Sequence, residues 1–182
     1  GPSIIGPRAD IDADAIVAGG LRSDARIELA AAEVLCPVTT DQQFLCQAIN
    51  YRSHMQECGF DPATNPFNVF FTKAPSSLAA ATADIVVPAH VQYQDYEVEI
   101  GHVLRQSVTA SVQVTETDLA DHVVGLVAVN DVSARDVQLA EPQFYKAKSY
   151  RSFGPVGPHI TLLDRSELAR FSEIRLRLWV DG

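Results

Sequence analysis

Apolar and polar residues alternate with period two over several stretches of this chain, a pattern that predicts strands more often than helices. Residues 95–100, Asp-Tyr-Glu-Val-Glu-Ile, read as one strand with Asp95, Glu97 and Glu99 on one face and Tyr96, Val98 and Ile100 on the other. Residues 43–49 are apolar enough for a mostly buried strand, and residues 67–71 predict a second one. Lys73 follows in an expected loop before Pro75, where it should be solvated. Pro62, Pro66, Pro75 and Pro88 make short strands and turns the expectation across residues 59–93. Residues 125–131 form a near-continuous apolar run that ends in Asp131, the pattern of a central buried strand. Thr115-Glu116-Thr117-Asp118 opens a short helix through about His122, with Thr117 as the expected cap. Residues 173–180 alternate as a strand and meet Asp181-Gly182, a hairpin-turn signal. The chain stops in mid-hairpin and is expected to be the first part of a longer polypeptide.

Composition narrows the class. With 182 residues and 47% hydrophobic content the chain can bury a core, and one domain is the default. A formal net charge of -9 argues against nucleic acid or an anionic membrane as partner, and leaves room for a small anionic substrate held by local cations. Cys36, Cys46 and Cys58 are odd in number and form no CxxC pair, which argues against a disulfide framework or a structural zinc site and fits a reducing cytoplasm. No apolar run approaches the roughly 18 residues of a membrane span, so a soluble protein is expected.

The acidic face changes the picture most. Two unit charges about 4 Å apart repel by roughly 4 kcal/mol at an effective dielectric near 20, so paired carboxylates in an interior need a cation, a proton or solvent. A hard divalent metal satisfies them; a strand edge facing water is the alternative. Asp131, at the end of the apolar run, joins the acidic row of Asp95, Glu97 and Glu99 as a candidate third ligand. An all-oxygen shell suits Mg2+ or Mn2+ rather than zinc.

Three further segments carry candidate chemistry. In residues 50–59 a helical turn puts His54 and Glu57 on one face, where the carboxylate can orient the imidazole as a general base; the alternative is a surface pair. Arg135 and Gln138 share a face if residues 132–138 turn helically. Arg135 then offers a fork for a substrate carboxylate, or a salt bridge to Asp131 or Asp136. Lys146 and Lys148, on an expected extended segment, point to opposite sides, with Lys148 inward; an irregular loop is expected through Pro158.

Asn-Tyr-x-x-His-x-x-Glu at 50–57, Asp-Tyr-Glu-Val-Glu at 95–99, Asn-Asp-Val-Ser-Ala-Arg-Asp-Val-Gln at 130–138, and Lys-Ser followed by Gly-Pro-Val-Gly-Pro occur in that order. Together they resemble the fumarylacetoacetate hydrolase family over about residues 35–182, with residues 1–34 as an N-terminal segment. The resemblance implies a mixed, β-rich α+β fold: a rolled β-sheet core of the family's C-terminal-domain type with short helices, incomplete at its C-terminus, in a homodimer. It also implies Mg2+, with Mn2+ or Ca2+ as alternatives, on Glu97, Glu99 and Asp131. His54 and Glu57 become the catalytic dyad on a mobile lid, Lys148 the active-site lysine, and Arg135 and Gln138 neighbours of the substrate. The implied reaction is hydrolysis of a C–C bond in a small anionic 2,4-dioxo acid, with isomerisation or decarboxylation of a 2-oxo acid as the alternative, and a non-catalytic fragment as an alternative of another class. Ala48, where many relatives have glycine, and Tyr150-Arg151, where Phe-Asp is more usual, bear on substrate preference.

Overall fold

The computed structural model describes residues 32–49, 51–57, 59, 61, 68–115, 117–141 and 143–181. Most of the expected N-terminal segment, together with Asn50, Cys58, Phe67 and Gly182, lies outside them. Strands dominate and the helices are one or two turns long, as the resemblance implies.

The near-continuous apolar run becomes β6 (Val123–Asn130), the strand on which the core is built. Val123, Val124, Leu126, Val127 and Val129 are all buried, because β6 has neighbours on both edges and layers on both faces. On one edge it pairs antiparallel with β5 (Val98–Leu104) from Val98↔Asn130 onward. On the other it meets β8 (Gly154–Val156) at Val129↔Val156 and β9 (Thr161–Leu162) at Gly125↔Leu162. β3 (Leu78–Ala80) closes the sheet parallel to β8. Gly125 permits the β9 approach: a Cβ there would lie 2.5 Å from the Thr161 carbonyl oxygen.

Two small sheets flank this core. β1 (Phe44–Ala48) pairs antiparallel with β2 (Val69–Lys73), and β4 (Gln94–Asp95) pairs with β7 (Ser133–Ala134). The β1 strand is not mostly buried as expected: half-buried and exposed positions alternate along it, so only one face meets the core. The predicted strand at 67–71 is shifted to Val69–Lys73, and its last residue is the one expected in solvent. Among the described residues, helical turns are α1 (Arg52–Glu57), α2 (Leu119–His122), α3 (Arg135–Gln138), α4 (Tyr145–Lys148) and α5 (Arg165–Leu168), with 3-10 turns at Pro75–Ser77 and Phe171–Glu173.

Several local expectations are corrected. The helix near 115–122 begins at Leu119 with Asp118 at its N-cap; Thr117 instead bonds the Thr115 hydroxyl. Residues 95–100 are not one strand, since β4 ends at Asp95 and β5 starts at Val98. Lys146 and Lys148 stand on a helical turn rather than an extended segment. The Gly-Pro-rich stretch contains a regular strand, β8, because β3 and β6 supply its hydrogen-bonding partners. Residues 174–180 are exposed, and no strand pairs with them among the described residues, so their alternation does not register as a strand. Among the described residues no helix is long and apolar enough to cross a membrane.

Candidate active site

Asp131 follows β6 directly, and two backbone bonds fix what lies beside it. The Asp131 N–H donates to the Glu97 carbonyl at 2.9 Å, and the Glu97 N–H donates to Asn130 Oδ1 at 3.2 Å. These bonds bind the gap between β4 and β5 to the end of β6, so that the Glu97 and Asp131 side chains converge. The buried cluster of Val91, Val132, Ala134 and Phe153 anchors the turn that follows.

Two buried lysines meet these acids. Lys148 Nζ lies 2.6 Å from Asp131 Oδ2, and 3.0 and 3.1 Å from the two Glu97 carboxylate oxygens. Lys73 Nζ lies 2.5 Å from Asp131 Oδ1 and also donates to the Phe153 carbonyl at 2.7 Å and the Val132 carbonyl at 3.3 Å. Lys73 and Lys148 are only 1% and 3% exposed. The solvated placement expected for Lys73 is therefore wrong: its register opposite Phe44 turns it inward, and Asp131 with two carbonyls replaces water around the ammonium. Burial pushes the Lys73 ammonium below the ordinary lysine range, with the Asp131 charge opposing that shift. Ser149 ties the two lysine segments together by accepting the Ala74 N–H at 2.9 Å.

Arg135 closes the network from the opposite end of the acidic row. Its Nε donates to Asp95 Oδ2 at 2.9 Å, Nη2 lies 2.8 Å from both Asp95 Oδ2 and Glu97 Oε1 as an ion pair, and Nη1 donates to Gln138 Oε1 at 2.7 Å. The shared face of Arg135 and Gln138 is as expected; the salt-bridge partners are Asp95 and Glu97, not Asp131 or Asp136. Ser133 Oγ lies 3.1 Å from Glu97 Oε1.

Among the described residues, Asp95, Glu97 and Asp131 stand in ion pairs with Lys73, Lys148 and Arg135, and the charges of Lys148 and His54 act on the fourth acid, Glu99. Burial, then the charges of Glu97 and Asp131, raise the Glu99 carboxyl above the usual carboxylate range. Tyr51, just before α1, hydrogen-bonds to it; burial and this acid raise the phenol in turn. Among the described residues, no group of three or more His, Cys, Asp and Glu side chains stands assembled as a metal shell. The Lys148 ammonium occupies the space between Glu97 and Asp131. By chemistry alone, the carboxylates of Glu97, Glu99 and Asp131 are oxygen donors of the kind a hard divalent cation takes.

The helical turn at His54 and Glu57 is formed, with Nδ1 3.7 Å from Oε2, and the two side chains are 53% and 76% exposed. His54 lies close enough to Glu99 for its charge to be felt there. The turn thus borders the acidic site from the solvent side. Cys46, on the inner face of β1, senses Asp131, Lys73, Lys148 and Glu99; burial first, then Asp131, pushes its thiol up to about 12, which removes it as a nucleophile.

Local sequence reading overlooked Lys73 and gave no role to Asp95, Ser133 or Tyr51. The signal for Lys73 was its parity: it shares a face with Phe71 in a run that pairs with apolar β1.

Comparison with known proteins finds one family. The family described as "Fumarylacetoacetate (FAA) hydrolase C-terminal" matches residues 43–182. A mitochondrial oxaloacetate tautomerase of Xenopus laevis is 31% identical over 133 residues, 72% of this chain and 40% of that protein. A fumarylacetoacetate hydrolase from psychrophilic Exiguobacterium antarcticum superposes with a TM-score of 0.59 at 32% identity, over 82% of this chain and 54% of that one. A 2-hydroxyhepta-2,4-diene-1,7-dioate isomerase from Mycobacterium marinum gives a TM-score of 0.63 at 26% identity, over 78% of this chain and 50% of that one. The chain thus spans about half the length of the relatives it matches.

Proposed function

The chain belongs to the fumarylacetoacetate hydrolase family, whose members include hydrolases, isomerases and tautomerases, and we propose that it serves a metal-dependent hydrolase cleaving a C–C bond of a 2,4-dioxo acid. The observation that carries this reading is the convergence of half-buried Glu97 with buried Asp131 and Lys148, close to half-buried Glu99. In the proposal Glu97, Glu99 and Asp131 hold Mg2+, with Mn2+ or Ca2+ as substitutes. Such a cation, when bound, polarises the carboxylate and 2-oxo oxygens of the substrate. It would also add two positive charges among these acids, which suits an anionic 2-oxo acid.

The protein's own groups supply the rest. His54 turns Nδ1 toward Glu57, which leaves Nε2 to take a proton from water. The water oxygen bonds to the distal carbonyl carbon, the bond between that carbon and its neighbour breaks, and the released carbon takes a proton. A carboxylic acid and a shorter 2-oxo acid result. Lys148 Nζ, already an ammonium donor to two carboxylates, stabilises the negative oxygen that develops. Gln138 and Arg135 face the substrate's anionic end.

A second reading, proton transfer in a 2-oxo acid without water attack, draws support from the tautomerase and isomerase among the relatives. Assays of the full-length protein with Mg2+ against an acylpyruvate and against oxaloacetate separate the two. Release of pyruvate and a carboxylic acid from acylpyruvate supports the hydrolase; keto-enol interconversion of oxaloacetate alone supports the second reading.

A further inference from the structure

The acid unused by this chemistry is Asp95. Both of its oxygens are engaged: Oδ1 accepts the Tyr96 N–H at 2.9 Å, and Oδ2 accepts Arg135 Nε and forms an ion pair with Nη2. Its backbone is equally fixed, because β4 pairs Asp95 with Ser133 and the Arg135 N–H donates to the Tyr93 carbonyl at 2.7 Å.

Donor accounting then constrains Gln138. A guanidinium has five N–H donors and accepts nothing. The Nε donor is spent on Asp95 and one Nη1 donor on Gln138 Oε1, while Nη2 lies 2.8 Å from both Asp95 Oδ2 and Glu97 Oε1 as an ion pair. Because only an acceptor can face Nη1, the Gln138 carbonyl must point at Arg135 and its NH2 group must point away. Arg135 keeps one Nη1–H for anything outside the network. It is therefore not a free fork for a carboxylate; what remains is a pair of donor groups, that N–H and the Gln138 NH2.

We propose that Asp95 is a positioning residue for substrate recognition: by clamping Arg135 it sets the Gln138 amide with its NH2 group presented, so that the site selects ligands offering a hydrogen-bond acceptor there. The inference rests on the 2-oxo acid reading for its ligand class, while the clamp itself stands on geometry alone. A 2-oxo acid carries acceptors and no donor at its anionic end, which matches a donor-only pair. A ligand with an ammonium in that place, which has donors and no acceptor, meets two opposed donors and is rejected.

The test uses the full-length, 15N-labelled protein with Mg2+ and pyruvate, the smallest 2-oxo acid, as probe. Arg135→Lys assigns the Arg135 Nε–H resonance, and Gln138→Ala assigns the side-chain amide. In the parent, the Nε–H should exchange slowly with solvent, and pyruvate should shift the Gln138 NH2 signals. Asp95→Ala should lose the slow exchange and weaken pyruvate binding about tenfold or more, with KM for any 2-oxo acid substrate rising and kcat nearly constant. Gln138→Glu should keep the Nε–H protected, since Glu still accepts from Nη1, yet lose pyruvate binding because an oxygen replaces the NH2 group. Asp95→Glu should restore part of the binding if the carboxylate matters rather than the fold. A protected Nε–H in Asp95→Ala, or unchanged pyruvate affinity in either variant, overturns the inference. A parent that keeps Nε–H protection but neither binds nor turns over any 2-oxo acid overturns the functional reading and the ligand assignment with it, and leaves the Asp95 clamp standing.

Discussion

Lys148 and Asp131 face one another in the interior, Nζ 2.6 Å from Oδ2, with the same ammonium bridging to Glu97. A lysine so placed has two consequences for a site meant to hold a cation. It neutralises the acids in the absence of metal, and it competes for their oxygens when metal arrives. Lys148→Met should therefore bind Mg2+ at least as tightly as the parent, while turnover falls about 10²- to 10⁴-fold as the oxyanion loses its donor. Calorimetry and activity on the same preparation check this; weakened Mg2+ binding in the variant would make Lys148 a support for the acids rather than a competitor.

In the proposed chemistry His54 takes a proton from water and is not among the cation's ligands. His54→Ala should lower turnover by about 10²- to 10⁴-fold and leave Mg2+ affinity nearly unchanged. Glu57→Gln should act in the same direction, since it removes the charge that orients the imidazole. Normal turnover in His54→Ala would reduce the exposed pair to a surface feature.

Lys73 is a stability residue by the same physics. Replacing it with Met strips a buried donor from Asp131, Phe153 and Val132 at once. Removing one partner of a buried ion pair costs about 3–5 kcal/mol, and Lys148 still faces Asp131, so a loss of about 3 kcal/mol is expected. Urea unfolding measures it, and a change below about 0.5 kcal/mol would contradict the buried pairing.

Much of this arrangement is legible in the sequence, and the parts that are not share a cause. β6 is readable because its apolar run suits a strand covered on both faces, and Asp131 is readable as its terminal acid. The α1 and α3 pairs are readable because three-residue spacing on a helical turn is a local property. Lys73 is not, since its partner is 58 residues away and only the β1–β2 register turns it inward. Lys148 points inward as expected, but on a helical turn, so alternation was the wrong reason. β8 forms through Gly and Pro because its partners, β3 and β6, come from elsewhere in the chain; tertiary pairing overrides local turn chemistry there. Asp95 kept its place in the acidic row, yet its role depends on the break between β4 and β5 that alternation conceals.

His102, on β5, packs against Phe171 with ring centroids 5.0 Å apart, and burial holds its imidazole below the ordinary range. A folded-state pKa below the unfolded value of about 6.5 means that the unfolded chain binds the proton first. The stability contributed by neutral His102 is present above about pH 6.5 and lost as the pH falls through and below it. His102→Phe should therefore melt with a shallower decline between pH 7.5 and 5 than the parent. Parallel melting curves would show that His102 does not titrate on unfolding.

The central claim is that Glu97, Glu99 and Asp131 form one cation site, and Glu99 tests it most directly because Lys73 and Lys148 pair with Glu97 and Asp131, so that replacing Glu99 removes neither pair. Mg2+ titration by calorimetry on the full-length parent and on Glu99→Gln should give clear binding in the parent and a loss of about tenfold or more in the variant, since a carboxamide oxygen lacks the charge a hard cation requires. Equal Mg2+ affinity in the two proteins would contradict the ligand set.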